Sequence, residues 1–198
     1  MTTAAADGSI RDKEIFKGKR INLVLREVRA KNGAVLEREV VVHPGAVIIL
    51  PVLADGRIVM IRNVRHTVNE ELWELPAGTL DRGPGSAAVL AGEPPEDPRE
   101  CAGRELAEET GYMAKTIRPY GWFYTSPGII TEKMHAFIAT GLTAGPQQLE
   151  ENEDITTCPL ATSELWRMIQ ENKIVDGKTL AVLLKYMMEG TTAGERRG

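Results

Sequence analysis

Apolar residues fall along this chain in two rhythms, and the changes between them mark out its elements. The runs Ile21 to Val28 and Val35 to Val42 are rich in β-branched and aliphatic residues, with Lys31-Asn32-Gly33 between them. Asn-Gly suits the left-handed backbone of tight hairpin turns, so the two runs are predicted as strands of a small antiparallel unit. His43-Pro44-Gly45 separates it from a second series: Ala46 to Leu53, a turn at Asp55-Gly56, and a return from Arg57 to Val64. Further strands are predicted at Thr116 to Tyr124 and Met134 to Thr140, and a short helix from Ser163. Leu180, Leu183, Leu184, Met187 and Met188 recur at helical spacing and predict an amphipathic helix that buries them.

One helix is announced by its ends. Asp97 is a suitable N-cap, Pro98 falls at the first helical position, where its missing N–H costs nothing, and Gly111 supplies a left-handed stop. Cys101, Ala102 and Leu106 give this helix an apolar flank to dock on a sheet. The opposite side is unusual. Glu105 and Glu109 are four residues apart with Glu108 between them, so all three carboxylates project from one side. Acids crowded in this way repel one another, and the arrangement fits either a solvated acidic face or a site for a divalent cation.

Composition narrows the alternatives. The 198 residues are 42% hydrophobic, enough for a substantial core. A net charge of -4 with no run of Lys or Arg argues against a nucleic-acid binder. Cys101 and Cys158 do not make a disulfide framework, and no segment reads as a signal peptide or a membrane span, so a cytoplasmic protein with no membrane partner is expected.

The acidic helix also carries a resemblance. Arg104-Glu105-Leu106-Ala107-Glu108-Glu109-Thr110-Gly111-Tyr112 resembles the second half of the Nudix box, G-x5-E-x7-R-E-U-x-E-E-x-G-U with U aliphatic, and Glu96 stands where the pattern places its first glutamate. Two positions depart from it. Leu90 occupies the opening glycine slot, while the family's Pro-Ala-Gly stands upstream as Pro76-Ala77-Gly78, so residues 82–95 read as a loop insertion, and Tyr112 takes the last aliphatic slot. Loops accept added length at small cost. Ser126-Pro127-Gly128 with Glu132, and the acidic stretch Glu150-Glu151-Asn152-Glu153-Asp154-Ile155, resemble the ADP-ribose and ADP-sugar pyrophosphatase branch.

The resemblance implies an α+β fold, the Nudix α/β/α sandwich with a small N-terminal antiparallel β unit. The expected divisions are a tail at 1–14, the β unit at 15–43, the hydrolase domain at 44–189 and a tail at 190–198. It implies a homodimer formed through the β unit. It also implies Mg2+-dependent hydrolysis, with Mn2+ as a substitute, of a nucleotide sugar, ADP-ribose first, with GDP-mannose, another nucleotide sugar or a dinucleotide as alternatives. A sensor that keeps the fold without turnover is a further alternative. The implied metal ligands are Glu105, Glu108, Glu109, the Ala77 carbonyl and Glu153; Glu151 is the implied general base, with Glu108 and Glu109 also at the catalytic centre. Arg65, with Arg62 as fallback, is expected to meet substrate phosphates, and Glu74, Pro127, Gly128 and Glu132 to line the substrate site. Arg104 and Glu96 are expected to pair with neighbours, and Trp73, Trp122, Phe123 and Tyr124 to lie mostly in the core.

Overall fold

The computed structural model describes residues 3–4, 10–18, 21–82, 94–149, 151 and 153–195. Most of the expected insertion at 82–95 lies outside them, as do Glu150 and Asn152. The chain divides into two compact units, one of Met1–Gly45, Leu80–Glu96 and Phe123–Met134, the other of Ala46–Thr79, Asp97–Trp122 and His135–Gly198.

The first unit is built on a four-stranded sheet, β1 (Thr3–Ala4), β2 (Ile10–Lys17), β3 (Asn22–Arg29) and β4 (Val35–Val42), antiparallel throughout and in that order. The Asn-Gly hairpin forms as expected: Gly33 has φ 83°, and Asn32 Oδ1 accepts from the Ala34 N–H at 3.1 Å. β2 was not expected, because 1–14 reads as a polar tail. It pairs with β3 from Ile10 to Lys17, and a cross-strand ion pair supports the ladder: Arg26 donates through Nε and Nη2 to both oxygens of Asp12, at 2.8 and 2.7 Å, where the two residues face each other in register. The same unit holds a turn at Ser126, whose carbonyl accepts from the Ile129 and Ile130 N–H groups.

In the second unit, β5 (Ala46–Pro51) is a continuous apolar run buried along its whole length, and β6 (Ile58–Arg65) opens with the buried apolar run Ile58 to Ile61 before Arg62, Asn63 and Arg65. They leave the Asp55-Gly56 turn through a single bridge between Val52 and Ile58 and then part company. One sheet has the order β8 (Ala77–Thr79), β5, β10 (Lys133–Ala144), β9 (Tyr112–Tyr124); the other has β11 (Ile155–Leu160), β6, β7 (Glu70–Glu74). Chain apolar on both faces needs cover on both, so neither β5 nor the first half of β6 can sit in a half-solvated hairpin.

Three helices complete this unit among the described residues: α1 (Pro98–Thr110), α2 (Thr162–Gln170) and α3 (Gly177–Glu195). α1 begins as expected, with Asp97 accepting from the Arg99 N–H at 2.8 Å, and ends at Gly111 with φ 72°. An added Cβ at Gly111 would lie 2.3 Å from the Gly145 carbonyl oxygen, so space as well as φ requires glycine. Cys101, Ala102 and Leu106 are fully buried, and α1 packs on β5, β6, β8 and β11. α3 buries Val182 and Leu183 but leaves Met188 68% exposed, so the apolar stripe is core only in its first turns. It continues to Glu195, through residues expected to form a tail. Trp122 and Tyr124 are exposed rather than core. No helix of the described residues is long and apolar enough to cross a membrane, and neither cysteine is in a disulfide.

Candidate active site

The three acids of α1 sit in different surroundings. Glu109 and Glu105 are buried, whereas the Glu108 side chain retains 36% of its exposure. Arg104 lies among them and donates through Nη1 to Glu105 Oε1 at 2.8 Å and Glu108 Oε2 at 3.0 Å, the pairing role expected of it. Glu109 Oε2 accepts from the Ala77 N–H at 2.9 Å, which ties the end of α1 to the start of β8.

Gly78 explains itself through Glu105. A Cβ there would fall 1.9 to 2.3 Å from all three carboxyl atoms of Glu105, so the glycine is the space that the carboxylate occupies. Gly78→Ala is therefore expected to keep the fold, because the group that must move is the end of a side chain, but to displace Glu105. We expect a melting temperature close to that of the wild type with metal affinity and activity lower by about ten- to a hundredfold, the usual effect of disturbing what orients a ligand. Unchanged Mn2+ affinity in the variant would count against Glu105 as a metal ligand.

Burial raises the Glu105 carboxyl to about 7 and the Glu109 carboxyl to about 8. Water stripped from the carboxylates is the main cause, and mutual repulsion adds to it. Glu153 pushes both groups upward, which brings the acidic stretch into the electrostatic neighbourhood of the helix. Its base is fixed to α1: Gly145 N–H donates to Gly111 O at 2.7 Å, Gln148 N–H to Glu108 O at 2.9 Å, and Gln147 Nε2 to Glu109 O at 2.6 Å and Thr157 Oγ1 at 3.0 Å. Glu151 is exposed in the turn that follows.

An oxygen-only donor set whose charged forms are destabilised by burial and by one another fits a hard divalent cation, which relieves both costs. Among the described residues no three such groups already surround one point. Arg104 meanwhile supplies positive charge to Glu105 and Glu108.

Arg65 donates through Nε and Nη2 to both oxygens of Glu74, each at 2.7 Å, and Glu74 is fully buried. Lys178 Nζ donates to the same Glu74 Oε2 at 2.7 Å and to Asp176 Oδ1 at 2.9 Å. Arg62 pairs with Glu71 and lies over the Trp73 ring at 5.6 Å. Pro127, Gly128 and Glu132 belong to the first unit, where Glu132 Oε2 accepts from Thr125 Oγ1 at 2.6 Å and Oε1 stands 3.5 Å from His43 Nε2. Glu96, also there, accepts from the Asp81 N–H at 2.7 Å, as a structural residue would. Sequence reasoning missed Lys178, Asp176 and Gln147. Lys178 and Gln147 find partners in other elements, which no local pattern marks, whereas Asp176 bonds within the first turn of α3, to Lys178 and Thr179, a capping position legible in the sequence.

The NUDIX domain family matches residues 42–180. An ADP-ribose pyrophosphatase of Bacillus subtilis is 34% identical over 90% of this chain and 91% of its own length. A methanol dehydrogenase activator of Bacillus methanolicus shows the same identity and coverage. Among solved structures, one titled as an ADP compounds hydrolase superposes with a TM-score of 0.71 over 96% of this chain and 97% of that one, at 16% identity, which is a likeness of fold.

Proposed function

The chain belongs to the NUDIX family of hydrolases, and on that footing we propose that it splits the diphosphate of a nucleoside diphosphate sugar, converting ADP-ribose and water to AMP and ribose 5-phosphate. The observation that carries this reading is the burial of Glu105 and Glu109 against Ala77 and Gly78, a costly placement for two acids unless a cation joins them. The name of the Bacillus subtilis relative supports ADP-ribose as the sugar nucleotide.

A diphosphate repels an incoming nucleophile, so its charge must be offset while water is held in line. Glu105, Glu108 and Glu109, the Ala77 carbonyl and Glu153 are the residues that would hold Mg2+, or Mn2+ in its place. The bound cation would offset phosphate charge and acidify a ligated water. Glu151, exposed in its turn, takes the proton of the attacking water. Arg65 meets a phosphate with a guanidinium already aligned by Glu74, so little side-chain freedom is lost on binding. Arg62, held by Glu71, is the fallback.

Turnover of ADP-ribose, GDP-mannose, a second nucleotide sugar and a dinucleotide, each with Mg2+ and with Mn2+, tests the reading. ADP-ribose is expected to give the highest kcat/KM, with AMP and ribose 5-phosphate as products. No turnover of any compound with either metal would favour the sensor and overturn the hydrolase.

The same reading includes a homodimer and a cytoplasmic location. In the first unit Phe16 is 59% and Val35 55% exposed, with Ile15 and Leu36 also open, an apolar surface that favours a partner. Sedimentation of the full chain is expected to show a dimer, and Phe16→Asp is expected to shift it towards monomer. A monomeric wild type at micromolar concentration would exclude the dimer.

A further inference from the structure

The chain crosses from one sheet to the other between Glu74, the end of β7, and Ala77, the start of β8. A strand that leaves its ladder leaves backbone donors behind. Pro76 has no N–H, so the donor to be satisfied at the crossing is that of Leu75, a residue with no exposure at all. It donates to Thr179 Oγ1 at 2.9 Å, and Thr179 is itself fully buried. One residue earlier, Lys178 Nζ holds the Glu74 carboxylate. Both contacts come from the first turn of α3, more than a hundred residues away in sequence, and Asp176 organises that turn. Its Oδ2 accepts from the Thr179 N–H at 3.0 Å and its Oδ1 from Lys178.

The far side of the crossing is Ala77, whose N–H holds Glu109. We propose that Lys178 and Thr179 are positioning residues, which clamp the Glu74–Ala77 crossing from the start of the last helix so that Ala77 and Glu109 keep the geometry a divalent cation needs. β5 grips the same segment from its other edge, through the Ile49 N–H to Pro76 O at 2.9 Å. β5 is the ladder partner of β8. Thr179 and Lys178 set where along the strand the crossing falls, because they hold the residues before Pro76. Thr179 acts through Leu75 and Ala77, whereas Lys178 also bears on Glu74 and, through it, on Arg65.

This inference rests on the hydrolase reading for its last step and is tested apart from it. Thr179→Val keeps the shape of the side chain and removes the acceptor, Thr179→Ser restores it, Lys178→Met removes the charge, and Lys178→Arg returns it. In the metal-free protein, amide exchange at Leu75 and Ala77 is expected to be at least tenfold faster in Thr179→Val and to return to the wild-type rate in Thr179→Ser. Mn2+ affinity, read by electron paramagnetic resonance, should fall about tenfold in Thr179→Val and several-fold in Lys178→Met. With ADP-ribose, kcat should fall while KM holds in Thr179→Val, KM should rise as well in Lys178→Met because Glu74 also aligns Arg65, and the conservative variants should recover both. A folded Thr179→Val with wild-type Ala77 exchange and wild-type Mn2+ affinity overturns the clamp. So does a Lys178→Met that loses only thermal stability, which settles the matter if the valine variant does not fold. A wild type that turns over no nucleotide sugar would overturn the hydrolase reading, and amide exchange and Mn2+ binding would still decide for or against the clamp.

Discussion

Glu109→Gln is expected to leave a folded protein that has lost hydrolysis by about a thousandfold or more, the worth of several kcal/mol of charge stabilisation at the reacting phosphate. The amide oxygen of the glutamine can still accept from the Ala77 N–H, so the contact seen at 2.9 Å survives while the anionic ligand is gone. Stability should move the other way. In the metal-free fold burial raises the Glu109 carboxyl to about 8 from an ordinary 4.5. An acid whose pKa rises on folding favours the folded state while it stays protonated, and that advantage is lost as pH rises from 4.5 through about 8. Glutamine does not titrate. Metal-free Glu109→Gln should therefore melt at or above the wild type at pH 8, and added Mg2+ should stabilise the wild type far more than the variant. Near-wild-type turnover at low Mg2+ would show that α1 is not the metal helix.

The same residue shows what a sequence discloses and what it withholds. The start and stop of α1 are legible because Asp97, Pro98 and Gly111 act within a turn of where they stand, and the spacing of Glu105, Glu108 and Glu109 follows from helix geometry alone. The burial of Glu105 and Glu109 is not legible, because it depends on how closely β8 approaches. Gly78 is visible as a glycine, but its reason is the Glu105 carboxylate, 27 positions later. The separation of β5 from β6 into two sheets is hidden by a turn that reads as a hairpin, and only the apolar character of both faces hints at it. β2 is hidden by its charges, which the structure resolves into a cross-strand pair. Glu74 illustrates the limit. Its site assignment came from resemblance, and the structure surrounds it with Arg65 and Lys178, a pairing across 104 residues that no local pattern could announce.

The acidic stretch offers a test in which two neighbouring glutamates should fail in different ways. Gln147 and Gln148 anchor its base on α1, and the charge of Glu153 is felt by both buried acids, whereas Glu151 is exposed in the turn. A group that shares the field of the buried acids is placed to ligate a cation bound there, and one that meets solvent is placed to take a proton from water. Glu151→Gln is accordingly expected to lower the rate by about two to four orders of magnitude, the usual range for loss of a general base, with metal and substrate affinity little changed. Glu153→Gln should instead raise the Mg2+ needed for half-maximal activity, and excess Mg2+ should recover much of the rate. Both variants would be assayed with ADP-ribose across a Mg2+ titration, with turnover and Mn2+ binding measured separately. Rescue of Glu151→Gln by metal, with none for Glu153→Gln, would exchange the two roles. If neither substitution matters, the base passes to Glu108, the most exposed of the three helix acids.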